Sequence, residues 1–213
     1  MGQKVNPIAF RLPTTGNWVS RWYANDKRYK EFLNQDIKVR NLVMRVLKNA
    51  GVSKIIIERS INKATATVKV ARPGMVIGRG GSGVEQLKKE LESLIGAKLT
   101  LNIEEIKKPD LDAYLVARSV ADQIEKRLHP KRVIAFAAEK VMQARAKGVK
   151  IIVSGRIGGS EIARREKIVL GSIPLQTIKA DIDFAVVAAK TQTAGVVGVK
   201  VWISKPEEQI SKE

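Results

Sequence analysis

The most informative segment of this chain is Arg72-Pro73-Gly74-Met75-Val76-Ile77-Gly78-Arg79-Gly80-Gly81-Ser82-Gly83. Its loop, residues 78–81, has the form G-x-x-G and is followed by a helix predicted over about residues 82–95, which Gly96 ends. Because glycine has no Cβ, another backbone can approach such a loop closely. The start of the helix would offer unpaired N–H groups and a positive dipole end. The segment therefore predicts a site for a phosphate-containing polymer.

The segments on either side of this loop predict an α+β unit. A helix over about residues 36–50, with Asp36 as its N-cap and Gly51 after its end, precedes two strands at residues 54–59 and 64–70. These strands form a hairpin, and a third strand, residues 98–104, follows the second long helix. The order α-β-β-α-α-β with a G-x-x-G loop between its two later helices predicts a type II KH domain, an RNA-binding module, over residues 17–108.

Residues 78–83 also spell G-x-G-x-x-G, with Glu104 placed where a ribose-binding acid would stand in a dinucleotide site. That site needs a strand leading directly into the loop within a parallel βαβ unit. Here the strand ends near Val70, a turn at Arg72 and Pro73 intervenes, and the strands form a hairpin. A plain glycine turn between two helices is the other structural alternative. We favour an RNA site, and it consists of Arg72, Val76, Ile77, Gly78, Arg79, Gly80 and Gly81.

The composition also favours a polyanionic partner. The 213 residues include 39 lysines and arginines against 21 aspartates and glutamates, which gives a formal net charge of +18, while 44% of residues are hydrophobic. A folded core with such a surplus of charge is typical of nucleic-acid-binding proteins. Aromatic residues are only 5% of the chain, so base stacking is a minor term and binding is expected to depend strongly on salt.

The residue types exclude several kinds of chemistry. The chain has no cysteine and one histidine, so disulfides, thiolate metal sites and multi-histidine zinc sites are excluded. Ser154 and Ser160 have no nearby histidine to serve as a base. We predict no cofactor, no metal and no enzymatic activity. No apolar run approaches the roughly 20 residues that span a bilayer, and the first residues lack a signal region, so we predict a cytoplasmic protein without a membrane partner.

The second half of the chain predicts another α+β unit. After a linker at residues 107–109, helices are predicted at about 111–128 and 130–147, and strands at 149–157, 163–170, 178–187 and 195–204. This gives a C-terminal domain of two helices and a four-stranded, mostly antiparallel sheet over residues 109–205. Residues 1–16 are interpreted as an extended N-terminal arm and residues 206–213 as a polar tail.

Basic residues outside the loop are candidates for further phosphate contacts, although charged residues most often serve only as a solvated surface. The candidates are Lys4 and Arg11 in the arm, Lys126, Arg127, Lys131 and Arg132 around His129-Pro130, and Arg156, Arg164 and Arg165 in the second domain. Asp181 and Asp183 share a strand face, and we interpret them as part of a salt bridge because no third metal ligand is visible.

Five segments resemble the bacterial-type small-subunit ribosomal protein number three family. They are MGQKVNP at residues 1–7 with Arg11-Leu12, RPGMVIGRGG at 72–81, VSGRIGGSEIAR at 153–164, ADID at 180–183 and GVVGVKVWI at 195–203. The segments occur in the right order over nearly the whole chain.

The resemblance implies a structural protein of the small-subunit head that binds ribosomal RNA. It implies neighbours numbered ten and fourteen, and proteins four and five beside the channel through which mRNA enters. Lys131 and Arg132 match basic positions that grip the incoming mRNA in this family. A third such position is Ala135 here, which weakens the expected grip unless Lys126 and Arg127 substitute for it.

Two other functions stay open at this point. A free-standing KH regulator would bind short single strands of messenger RNA without a ribosome. A nuclease or lyase acting on nucleic acid would need a reactive lysine or a metal site, and the sequence indicates neither.

Overall fold

The computed structural model describes residues 3–12, 14, 17–60, 63–96, 98–192 and 195–206, and for Arg79 it describes the backbone but not the side chain. The chain divides into two compact units, one of residues 18–107 and one of residues 1–17 together with 108–213. The predicted polar tail lies outside the described residues except for Pro206.

The N-terminal segment is partly helical, which corrects the prediction of an extended arm. Helix α1 (Pro7–Arg11) begins with a proline, whose missing N–H costs no intrahelical bond in the first turn. The Asn6 side chain caps the helix by accepting a hydrogen bond from the Ile8 N–H at 2.9 Å.

The unit of residues 18–107 has the predicted KH order of elements. They are β1 (Ser20–Arg21), α2 (Asp26–Val46), β2 (Val52–Arg59), β3 (Lys63–Val70), α3 (Pro73–Ile77), α4 (Ser82–Ile95) and β4 (Lys98–Glu105). β2 and β3 form the antiparallel hairpin, β4 is parallel to β3, and the two-residue β1 is parallel to β2. The order α-β-β-α-α-β is therefore confirmed, with β1 as a small addition at the edge next to β2.

Helix α2 begins ten residues before the predicted start. Asp36, which was predicted as its N-cap, is instead a buried residue within the helix. Its carboxylate accepts hydrogen bonds from the indole N–H of Trp22 at 2.8 Å and from the guanidinium of Arg59 at 2.6 Å. The charge is thus paired and hydrogen-bonded, which is the condition for burying it. The apolar side chains of α2 that enter the core, Val39 and Val43, lie in its second half.

The second unit contains the predicted two helices and four strands. They are α5 (Ala113–Glu125), α6 (Pro130–Gln143), β5 (Gly148–Gly155), β6 (Arg164–Gly171), β7 (Ile182–Thr191) and β8 (Gly195–Ser204). The strand order is β6-β5-β8-β7, and every pairing is antiparallel. Alternate strand residues such as Ile151 and Val199 pack with α5 and α6 in a buried core. The side chains between them point to the opposite face of the sheet.

Candidate nucleic-acid interface

The G-x-x-G loop has the geometry that its glycines predict. Gly78, Gly80 and Gly81 have φ angles of 69°, 64° and 82°, a region that residues with a Cβ rarely adopt. A Cβ built on Gly80 or Gly81 would meet no atom within 4 Å, so the loop is open on that side. The loop leads directly into α4, whose first turn contains Glu85 and no basic residue.

The residues before the loop do not all face it. Val76, predicted to lie under the bases, is only 3% exposed and packs in the core with residues of the sheet. This corrects the prediction for Val76, because a side chain inside the core cannot contact a ligand. Ile77 is exposed, as is Arg72, which stands at the N-cap of α3. Ile77 and Arg72 thus remain available beside the loop.

Four predicted cations lie in the connection between α5 and α6, which we call the basic turn (residues 126–132). Lys126 is the C-cap of α5, and Lys131 and Arg132 stand in the first turn of α6. All four cations of the turn are exposed, whereas Pro130 between them is buried. The turn is therefore anchored by its proline and presents its charges to solvent.

Arg127 occupies a backbone position that ordinarily favours glycine. Its φ is 63°, its N–H donates to the Ile124 carbonyl at 2.9 Å, and the next N–H, of Leu128, donates to the Gln123 carbonyl at 3.2 Å. This is the Schellman arrangement, in which a non-glycine residue costs about 1–2 kcal/mol. The Arg127 guanidinium also donates to Gln192 Oε1 at 2.7 Å.

The end of α6 repeats this feature at Arg145, which the sequence analysis missed. Its φ is 68°, and its N–H donates to the Met142 carbonyl at 3.0 Å. Glycine, the residue that usually signals such a helix end, is absent here, so the sequence predicted a helix running to residue 147. Helices α5 and α6 are thus each followed by an exposed arginine in a strained backbone conformation.

Arg11, predicted to contact phosphate, instead holds the N-terminal segment within its own unit. Its guanidinium donates hydrogen bonds to backbone carbonyls of α1 and of the segment before β7, namely those of Pro7, Pro174, Leu175, Thr177 and Ala180. The residue is 2% exposed. Burial lowers the pKa of Arg11, and the charge of Asp181 opposes that shift. Its donors are already used, so the phosphate-contact prediction is corrected for Arg11.

The remaining predicted cations are exposed but do not form one cluster. Lys4 precedes α1, and Arg156 donates to the Ser160 carbonyl at 2.9 Å within its loop. Arg164 and Arg165 are neighbours on β6 and therefore point to opposite faces of the sheet. The predicted contacts thus fall in the G-x-x-G loop of the first unit and, in the second unit, in the basic turn, the segment before α1, the loop after β5 and strand β6.

Asp183 has a structural role. The Asp183 carboxylate accepts a hydrogen bond from the Ala113 N–H at 3.1 Å and lies 3.9 Å from Lys205 Nζ, as the salt-bridge interpretation predicts. Within the described part of the chain, no group of three or more His, Cys, Asp or Glu side chains could hold a metal ion. No helix among the described residues is long and apolar enough to cross a membrane.

Two protein families match this chain, and each covers most of one of its two compact units. The KH domain family matches residues 38–111, and the family described as ribosomal protein S3, C-terminal domain, matches residues 120–203. The small ribosomal subunit protein uS3 of Legionella pneumophila strain Corby is 52% identical over 97% of this chain and 94% of its own length. That of Lactobacillus helveticus is 50% identical over 97% of this chain and 92% of its own length.

The similarity therefore extends through both compact units and the segment before them, at an identity that leaves no doubt of common descent. The chain belongs to the small ribosomal subunit protein uS3 family, and it is a structural, RNA-binding component of the small ribosomal subunit and not an enzyme.

Proposed function

We propose that this chain grips messenger RNA where it enters the small subunit, and that the basic turn provides the grip. The observation that carries the proposal is the set of four exposed cations on a turn whose proline is buried. Phosphate contacts of this kind are independent of base sequence, as a grip on every messenger requires.

The electrostatics of α6 support the same role. Lys131 and Arg132 stand at the positive end of the helix dipole, and the first turn of α6 has no acidic residue. Cations there are unfavourable by about 0.3–1 kcal/mol each in the isolated protein. A bound phosphate would interact favourably with both the helix end and the two cations, and so would offset this cost.

Ala135 lies one turn further along α6, where the resemblance implies a third cation. It is half-buried and contributes no charge. We propose that Lys126 and Arg127, on the preceding side of Pro130, supply the charge that Ala135 lacks.

We propose further that the G-x-x-G loop clamps an RNA backbone in the head of the small subunit, and that the protein works in the cytoplasm as part of the ribosome. The resemblance also supports neighbours numbered ten and fourteen, with proteins four and five beside the same channel.

The test is the double variant Lys131→Ala with Arg132→Ala, assembled into small subunits in a reconstituted translation system. We expect severalfold slower passage through a messenger hairpin and an unchanged rate on an unstructured message. Only the hairpin requires the protein to hold the RNA strand while its base pairs open. Lys88→Ala with Lys89→Ala, which removes the same charge from exposed positions of α4, serves as the control.

Equal slowing on both messages would contradict the proposal and indicate defective assembly. Sedimentation of the variant in a sucrose gradient separates the two outcomes, because a defect in assembly leaves protein in the light fractions.

A further inference from the structure

The sheet of the second unit has a face that α5 and α6 do not cover, which we call the open face. Its strand positions include the cations Lys150 on β5, Arg165 and Lys167 on β6, Lys190 on β7 and Lys200 on β8. Among the described strand residues that point to this face, none is aspartate or glutamate. None of these five side chains forms an ion pair with a described residue. The charged strand residues described on this face are therefore all positive, and no carboxylate among them neutralises the cations.

The register brings three of these lysines together. Lys167 and Lys200 both pair with Ile152, so they flank it in one row across three strands. Adjacent strands lie about 4.8 Å apart, which places the two lysine Cα atoms roughly 10 Å from each other. Lys150 lies two residues from Ile152 on the central of these strands, on the same face.

The cations influence one another. Burial lowers the pKa of Lys150, and the charges of Lys4 and Lys167 lower it further. Lys4, from the segment before α1, thus adds a cation near the same surface. The Lys150 ammonium stands 5.0 Å from the centroid of the Trp202 ring, which holds the side chain in place. Repulsion of this kind persists in the free protein and is relieved when a polyanion binds.

The next row of residues on this face has small side chains on three of the four strands. Ser154, Gly198 and Ala188 lie side by side on the three strands β5, β8 and β7. A Cβ built on Gly198 would meet Ser154 Oγ at 3.6 Å and the Ser154 carbonyl oxygen at 3.8 Å, both ordinary contact distances. Small side chains beside a group of lysines let an extended backbone lie against the sheet.

We propose that the open face binds the sugar-phosphate backbone of ribosomal RNA, as a surface separate from the G-x-x-G loop and the basic turn. The inference rests on the RNA-binding role of the chain. RNA is the partner that fits, because the face offers several cations without a carboxylate. Each of its exposed valines, Val169, Val186 and Val196, pairs with one of its lysines, so cations interrupt the apolar surface.

The experiment measures the affinity of the full-length chain for small-subunit ribosomal RNA transcribed in vitro. Replacing Lys150, Lys167 and Lys200 by glutamine should raise the Kd at least tenfold. It should reduce the slope of log K against log salt by about 2–3, since each lost phosphate contact removes about 0.7–0.9 from the slope. Glutamine at the exposed positions Lys88, Lys89 and Lys98 removes the same net charge elsewhere and should change the Kd little.

A second pair of variants distinguishes the effect of charge from that of misfolding. Gly198→Glu adds one carboxylate to the centre of the face, and Gly198→Gln adds a side chain of the same size without charge. The proposal expects a severalfold higher Kd for the glutamate variant alone, with equal thermal stability of both.

Equal loss of affinity in the two lysine triples would overturn the proposal, since net charge alone would then explain the effect. So would cross-links from the open face to protein instead of RNA in assembled subunits. Neither result bears on the basic turn, whose test is the passage of structured messengers. The open-face variants should leave the ratio of rates on structured and unstructured messages unchanged.

Discussion

Arg11 and Arg127 show how differently the same side chain is used in one protein. The guanidinium of Arg11 is buried against backbone carbonyls, whereas that of Arg127 is exposed on a strained backbone. Both are basic residues near a proline, and the local sequence does not distinguish them. The difference arises because the segment at residues 174–180 folds over Arg11 from far along the chain.

Replacing Arg11 by methionine should destabilise the second unit by about 3 kcal/mol, because it removes the donor from five backbone carbonyl oxygens that are buried or partly buried. Urea unfolding of the full chain measures this loss. Arg28→Met, an exposed position on α2, is the matched control and should stay within about 0.5 kcal/mol of the unchanged protein. The folded Arg11 variant should bind RNA as before. Weaker binding by this variant would indicate that Arg11 contacts RNA after all.

At the scale of elements, the G-x-x-G loop allows a test with nearly identical side chains. Gly80 has a φ of 64° and open space at its Cβ, and asparagine and aspartate tolerate this conformation better than other residues. Gly80→Asp should weaken binding of a short single-stranded RNA severalfold, because a carboxylate then stands where phosphate is expected. Gly80→Asn should bind almost normally, and fluorescence anisotropy measures both. Equal affinity of the two variants and the unchanged chain would remove the loop from the site.

Elements with a regular pattern could be predicted from the sequence, and those shaped by distant contacts could not. The alternation in β3 and the glycines at residues 78–81 encode their conformations locally, and both predictions are confirmed. Asp36 has the residue type of an N-cap, but Trp22 and Arg59 neutralise it within α2. Val76 is apolar in either role, and only the tertiary fold shows that it belongs to the core.

For the whole molecule, the distribution of charge matters more than any one contact. The basic turn and the open face each present exposed cations, and the exposed Arg72 precedes the G-x-x-G loop along the chain. A chain with a net charge of +18 and few aromatic residues should bind RNA mainly through phosphates.

We therefore expect the affinity of the full chain for small-subunit ribosomal RNA to fall about 10³-fold or more between 50 and 200 mM salt, as for proteins that make at least about six phosphate contacts. Titrations at a series of salt concentrations measure the slope. A nearly flat dependence would mean that base stacking or apolar contacts dominate.

The carbonyl cage around Arg11 has a consequence for the order in which the nascent polypeptide folds. It joins positions up to 169 residues apart, and β8, the final strand, inserts between β5 and β7. During synthesis, residues 18–107 can complete their hairpin and helices while the Arg11 guanidinium still lacks the carbonyls of residues 174–180. A segment that is synthesised before residues 18–107 is thus among the last to reach its final position.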